Sequence, residues 1–287
     1  MNAAPWPDGT PPRDYPLDEA YAWCEGVVAR HPEHYPVASP RMAEPLRRHA
    51  AAVYAFSRVA NDFADHPDYE QRRPQSLDAW EELLERAFHG EPRHPAFVAL
   101  SDTVRRFEIP ITPFQDLLAG FRMDLYRHRY TNFGELLNYC SLSGVPVGRL
   151  MLLLGGERRP QLQALSDPLA VGMRLTDILL DLGSDARQGR VYLPEEDLLL
   201  FEVGVEDLAQ GQRSIALEEL VGFQVARARA WFHRARPLLR KVGPGLADEV
   251  GGIWRAGMET LDRIERGEAG VLRPSGAPRS AGDDPPV

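Results

Sequence analysis

Cysteine is nearly absent from this chain: Cys24 and Cys140 are the only two in 287 residues. Two cysteines make no disulfide framework and no CxxC metal pattern, so a reducing cytosol is the expected compartment. A basic excess is also missing. The 33 Lys and Arg against 42 Asp and Glu leave a net charge of −9, which excludes a general nucleic-acid binder with its basic face. No apolar run approaches the roughly 18 residues of a membrane span; the longest, Leu150 to Leu154 and Leu198 to Phe201, are short. The opening Met1 to Pro16 is Pro-rich and polar, without the basic start and apolar core of a secretory signal. No Gly-rich dinucleotide fingerprint occurs. A cytoplasmic protein is expected, peripheral to the inner face of the membrane where it exchanges lipids.

What is present is helical patterning almost throughout, with no strand-like alternation and no internal repeat. Residues 1–16 are expected to be a flexible arm and residues 274–287, rich in Pro, Gly, Ser and Asp, a disordered tail. Between them, 17–273 is expected to form one all-α domain, its helices arranged around a central cavity. Pro45 suits a first helical turn, and Leu46 to Asp65 carries Ala, Val, Tyr and Phe at helical spacing. Ser76 is a candidate cap for a helix to Phe88, and Pro95 and Pro113 open two more. Asn132 with Glu135 resembles a capping box for Leu136 to Leu154. Asp167-Pro168 is the expected start of the next helix, and Pro237 the expected kink or end of a long one.

Two acidic clusters, about 120 residues apart, stand out on these helices. In the first, Tyr54, Arg58, Asn61, Asp62 and Asp65 fall on one side of a helix whose preceding residues, Ala50 to Val53, are small and apolar. In the second, Asp177, Asp181 and Asp185 descend in steps of four between aliphatic residues. Like charges at that spacing repel, and buried carboxylates need partners or a cation. The bland alternative is a solvated face. Two such faces turned toward each other would instead hold divalent ions and a diphosphate. All-oxygen ligands point to a hard ion such as Mg²⁺. Arg187, Arg190 and Tyr192 follow the second cluster directly; guanidinium groups there can take phosphate oxygens, or merely pair with their neighbours.

These clusters, in this order and separation, resemble the squalene/phytoene synthase family of head-to-head prenyl synthases. Further matches are Pro36-Val-Ala-Ser39, Phe121-Arg-Met-Asp124, Arg129-Tyr130, Tyr139-Cys140, Ser143 to Leu150, Gly189-Arg190-Val-Tyr192-Leu-Pro194 and Leu261 to Arg266. The Pro146-Val-Gly-Arg-Leu150 and Tyr35-Pro-Val-Ala-Ser39 runs look most like the bacterial hydroxysqualene-forming branch. The resemblance implies a prenyl diphosphate substrate, presqualene diphosphate, ionised with Mg²⁺, with water capture and no reduction. It implies metal ligation by Asn61, Asp62, Asp65, Asp181 and Asp185, with Tyr192 beside Asp62, Asp65, Asp181 and Asp185 in the catalytic set. Ser39, Tyr54, Arg58, Asn61, Tyr139, Arg174, Asp177, Arg187 and Arg190 are the implied substrate-binding residues. Tyr54, Phe56, Phe121 and Tyr139 are candidate aromatic faces for a carbocation. Partner enzymes of squalene biosynthesis are implied as well.

The chain departs from the family pattern at three positions. Asn61 replaces the usual first aspartate, Arg174 a glutamine and Asp177 an asparagine. Arg174 lies one turn before Asp177, where the two can form an internal ion pair. Two rival readings follow: a condensing synthase that makes presqualene diphosphate, squalene or phytoene from two isoprenyl diphosphates, and a non-catalytic assembly or interaction partner. Asn61 weakens the first, because two diphosphates should need the full acidic set. Retention of Asp62, Asp65, Asp181, Asp185, Arg190 and Tyr192 weakens the second.

Overall fold

The computed structural model describes residues 6–31, 42 and 44–272. Ser39, with its Pro36-Val-Ala-Ser39 run, and the 274–287 tail lie outside the described residues. The expected all-α architecture holds. The helices are α1 (Leu17–Arg30), α2 (Glu44–Asp65), α3 (Arg73–Phe88), α4 (Pro95–Phe107), α5 (Thr112–Tyr126), α6 (Phe133–Ser143) and α7 (Val145–Leu154). They continue with α8 (Pro160–Arg187), α9 (Glu195–Leu200), α10 (Val205–Gln210), α11 (Ile215–Lys241) and α12 (Pro244–Glu265). The strand-free expectation fails in one place. β1 (Arg129–Tyr130) pairs in parallel with β2 (Val191–Pro194), a ladder too short to leave an alternation in the sequence.

Several boundaries move. Ser76 is a buried residue inside α3, which starts three residues earlier at Arg73 and carries Pro74 in its first turn. Asn132 does cap α6, its side chain accepting from the Glu135 amide at 3.0 Å, but Glu135 reaches back to the Thr131 amide at 2.9 Å. The expected continuous helix to Leu154 breaks at Gly144. Asp167-Pro168 does not start a helix: α8 begins at Pro160 and runs 28 residues with Pro168 inside it. Packing on both sides of the proline, through Leu162, Ser166, Leu169 and Ala170, overrides the lost backbone bond. Likewise Pro237 lies inside α11 without ending it. Contrary to the sequence expectation, one stretch, Phe133–Leu154, is long and apolar enough to cross a membrane by length and composition. It is two helices, and Leu136, Tyr139, Cys140 and Leu150 within it are fully buried, as core residues are.

The chain divides into two compact units, one from Met1–Tyr126 with Arg149–Arg158, the other from Arg127–Gly148 with Arg159–Val287. In the first, α2 packs against α1, α3, α4 and α5. Ala50, Ala52, Ala55 and Ala60 are fully buried, and such small side chains let the neighbouring helices approach closely. Trp80 anchors this core. Its ring meets Phe63, His94 and Phe97 at 5.5, 4.9 and 4.5 Å, and its Nε1 donates to Phe56 O at 3.2 Å. The stretch from Trp6, expected to belong to a flexible arm, is tied to this core. Asp8 Oδ2 lies 3.0 Å from His94 Nε2, and the imidazole with Thr10 holds the Asp8 carboxyl below its ordinary range despite burial, which opposes this. A second buried network joins α1, α2 and α4. Tyr21 OH donates to Asp102 Oδ2 at 2.7 Å and accepts from His49 Nδ1 at 2.8 Å. Burial pushes the Tyr21 phenol well up and the His49 imidazole down.

In the second unit α8 packs against α6, α10, α11 and α12. Phe232 of α11 is clamped between two glycines. A Cβ on Gly257 of α12 would lie 2.3 Å from its ring, and one on Gly172 of α8 would lie 3.0 Å from it. Phe232 is fully buried, so its ring has nowhere to move.

Two outcomes follow from this packing. Gly257→Ala overpacks the Phe232 site and should destabilise the protein by about 1–3 kcal/mol, visible as a lower urea midpoint. For His49, the folded state holds the imidazole below its ordinary value of 6.5, so the unfolded chain binds more protons just below that pH. Stability should therefore fall as pH drops below 6.5, and His49→Gln should flatten the decline in urea midpoints measured from pH 7.5 to 5.5.

Candidate active site

The first acidic cluster lies at the C-terminal end of α2. Its helix is buried on most sides, through Phe56, Val59, Ala60, Phe63 and Ala64, which leaves a narrow polar stripe. Arg58 is 5% exposed, and its Nη2 donates to Asp62 Oδ1 at 2.7 Å. Asn61 and Asp62 are half-buried, while Asp65 is exposed at the end of the helix. With Arg58 against Asp62 and an amide at Asn61, the stripe is poor in net negative charge. Tyr54 OH donates to His31 O at 3.3 Å. Phe56 is core, fully buried among Trp80, Phe97 and Phe114, and Phe121 is 9% exposed. A depression of about 340 Å³ opens beside Asp62, lined also by Asp8, Arg30, His31 and Tyr69. Those four residues were not among the expected site residues. The basic pair closing α1 is the only local hint of them.

The second cluster occupies the exposed stripe of α8, in the other unit. Asp177, Asp181 and Asp185 are all half-buried, with Ile178, Leu179 and Leu182 buried on the opposite faces. The helix ends in a Schellman motif. Gly189 adopts a left-handed φ of 81°, its amide donates to Ala186 O at 3.0 Å, and the Arg190 amide donates to Asp185 O at 2.9 Å. That closure folds Arg190 back over the last turn. Its Nε comes to 3.9 Å from Asp185 Oδ1, with the two side chains 19% and 16% exposed, and its Nη2 donates to Gln188 Oε1 at 3.1 Å. Arg187 sits apart from this pair: it is exposed, and its Nη1 donates to Ala209 O at 3.1 Å.

At the other end of the stripe Arg174 meets an aromatic floor. Tyr130 of β1, Tyr139 of α6 and Tyr192 of β2 form a trio with ring centroids 5.2–5.8 Å apart. Tyr130 and Tyr139 are fully buried and Tyr192 is 6% exposed. The β1–β2 ladder carries two of these rings, Tyr130 and Tyr192, and all four residues of β2 are buried. Arg174 Nη2 donates to Tyr139 OH, and its guanidinium carbon lies 5.2 Å from the Tyr139 centroid and 5.8 Å from that of Tyr192. Tyr130 was recognised in a motif but not as a site residue, because nothing local shows that it stacks on Tyr192. Cys140, next to the floor, is buried, and burial pushes its thiol up to about 12; the Arg174 charge opposes this and Asp177 reinforces it.

The donor chemistry fits a divalent ion of the magnesium kind. The candidate ligands Asn61, Asp62, Asp65, Asp181 and Asp185 offer only oxygen, and Asp181 and Asp185 stand one turn apart. Among the described residues no group of three or more His, Cys, Asp or Glu side chains gathers as a ready metal cage.

An all-α fold with two acidic helical motifs, one running into an arginine-bearing turn, defines a class of enzymes that act on diphosphate esters. Comparison with known proteins gives the family. The squalene/phytoene synthase family model matches residues 28–282. The chain is 35% identical over 272 residues to a 15-cis-phytoene synthase of Synechococcus elongatus, covering 90% of this chain and 87% of that one. Among solved structures, squalene synthase HpnC from Alicyclobacillus acidocaldarius superposes with a TM-score of 0.81 at 32% identity, over 87% of this chain and 94% of that one. A dehydrosqualene synthase crystallised with a ligand gives 0.82 at 25% identity, over 93% of both chains. The chain belongs to the squalene/phytoene synthase family and is an enzyme of that family acting on prenyl diphosphates.

The charge-poor first motif has a measurable consequence. Asn61→Asp restores a carboxylate beside Asp62 and should lower the Mg²⁺ concentration for half-maximal activity several-fold; an unchanged titration would show that the missing charge does not limit ion binding.

Proposed function

We propose that this enzyme takes a single, already joined C30 ester, presqualene diphosphate, and converts it with water to hydroxysqualene and diphosphate. The observation that carries this reading is the unequal number of carboxylates in the two motifs. The first has two, Asp62 and Asp65, with Arg58 paired to Asp62 at 2.7 Å and an uncharged Asn61. The second has three, Asp177, Asp181 and Asp185, at four-residue spacing. A condensing synthase must neutralise two diphosphates, whereas ionising one ester needs one well-charged motif. Similarity to the structure named squalene synthase HpnC supports C30 chemistry rather than C40.

The chemistry assigned to each residue follows from its charge. Departure of diphosphate places negative charge on its bridging oxygen, and fixed cations aimed there lower the barrier. Arg190 is the residue for this: it stands beside Asp185 at the end of the stripe, and guanidinium geometry suits phosphate. Mg²⁺, held by Asp181 and Asp185, would supply Lewis-acid neutralisation of the leaving group when bound. Tyr192 and the rest of the tyrosine floor close one wall against bulk water. The C–O bond breaks with its electron pair going to diphosphate. The rearranged cation then takes the oxygen of a water molecule, whose proton passes to diphosphate. No reductant enters. A water-insoluble alcohol leaves most readily into lipid, which accords with a cytoplasmic enzyme working against the membrane face.

The rival is a condensing synthase, favoured by the 35% identity to a phytoene synthase. Purified enzyme incubated with Mg²⁺ and, separately, presqualene, farnesyl and geranylgeranyl diphosphates distinguishes the two by mass spectrometry of the lipids. Hydroxysqualene from presqualene diphosphate alone is the expected result. A C30 or C40 product from farnesyl or geranylgeranyl diphosphate overturns the reading, as does failure to turn over any of the three. Asp185→Ala should lower kcat by about 10²-fold or more without loss of helical circular dichroism.

A further inference from the structure

We propose that Arg174 is a specificity-determining residue: a fixed cation that occupies the tyrosine floor and so biases the substrate-derived carbocation toward capture by water rather than loss of a proton. The inference rests on the ionisation of a prenyl diphosphate at α8 and deepens the product assignment made above.

The geometry carries it. Aromatic faces next to a carbocation attract it and lengthen its life. Here the faces of Tyr139 and Tyr192 are already taken by a guanidinium at 5.2 and 5.8 Å, held by a hydrogen bond to Tyr139 OH. Arginine stays charged at any pH the enzyme meets, so this occupant never leaves as a neutral group. Both rings are nearly or fully buried, which weakens screening of the charge by water. Asp177, one turn along the same stripe, carries the opposing charge. Arg174 thus carries its positive charge at the floor end of the stripe, and Asp181 and Asp185 carry negative charge at the other.

A carbocation formed on this stripe is repelled from the floor and held toward the carboxylates, the departed diphosphate and their water. There two fates compete. In one, a water oxygen bonds to the cationic carbon and its proton goes to diphosphate, giving an alcohol. In the other, a neighbouring C–H bond supplies the proton to diphosphate and its electron pair forms an alkene. Both return one proton to diphosphate and leave a neutral lipid; the first consumes one water and the second none. A glutamine at position 174 would leave the tyrosine faces open to the cation and away from water, favouring the second fate.

The test is the product partition of the full-length enzyme, loaded with Mg²⁺ and presqualene diphosphate, in three forms. Native enzyme is expected to give the C30 alcohol. Arg174→Gln is expected to raise the hydrocarbon-to-alcohol ratio several-fold, and Arg174→Lys, which keeps the charge, to hold the native ratio. Thermal midpoints and KM are recorded alongside, since a merely structural role would move those and kcat but not the partition. An unchanged ratio in a folded Arg174→Gln enzyme overturns the proposal while leaving the parent reading intact. A raised KM with an unchanged ratio also overturns it, making Arg174 a phosphate ligand. Hydrocarbon as the main product of the native enzyme, from this or any prenyl diphosphate, overturns both. Should Arg174→Gln fail to fold, Tyr139→Phe removes only the hydroxyl that anchors the guanidinium and must shift the ratio in the same direction for the proposal to stand.

Discussion

Everything at the candidate site depends on one unfavourable arrangement, a row of like charges kept half-buried on α8. Asp177, Asp181 and Asp185 stand one turn apart, and each such pair opposes an isolated helix by about 0.2–0.5 kcal/mol. The opposite faces of the same helix bury Leu175, Ile178, Leu179 and Leu182, each contributing about 1.5–3 kcal/mol. Packing therefore exceeds repulsion several-fold, and the row can persist without help from local propensity. The same excess explains how Pro168 survives inside a 28-residue helix. The helix is rigid because its apolar side is committed, and its polar side is thereby free to be chemically specialised.

The row is bracketed by two guanidinium groups that reach it by different routes. Arg190 comes from beyond the helix, turned back by the left-handed Gly189 and the backbone bonds of the Schellman closure. Arg174 comes from within the helix and reaches the tyrosines. A charge gradient runs along a single face as a result. On α2 the corresponding charge is quenched locally, with Arg58 one turn before Asp62 and bonded to it. Two motifs that look alike as strings of acidic residues thus differ in what they can hold.

Spacing made much of this legible in the sequence. Carboxylates at intervals of four had to share a face, and Asn132 had to cap. What stayed hidden depended on partners distant in the chain. Asp8 and His94 are 86 residues apart, so a Pro-rich, polar opening looked like a free arm. Tyr130 and Tyr192 meet through a ladder of a few residues, too short to have a period. Asp167-Pro168 carried every local mark of a helix start, and tertiary packing outweighed it. Arg187 was grouped with Arg190 because it is three residues away, yet the turn at Gly189 sends the two in different directions.

The departures from the family pattern gain a common meaning in this setting. Replacing glutamine by Arg174 and asparagine by Asp177 adds one positive and one negative charge, so the net charge of the stripe is unchanged. What changes is its distribution. The positive charge is placed over the tyrosine rings and the negative charge beside the other carboxylates, which steepens the gradient along α8. Loss of the first aspartate at Asn61 reduces charge in the other motif. Asn61 and Asp177 shift carboxylate charge from α2 toward α8, and Arg174 places a positive charge over the tyrosine rings. Under the product reading proposed above, the cation is captured where polar groups and water lie, and this charge distribution is consistent with that reading.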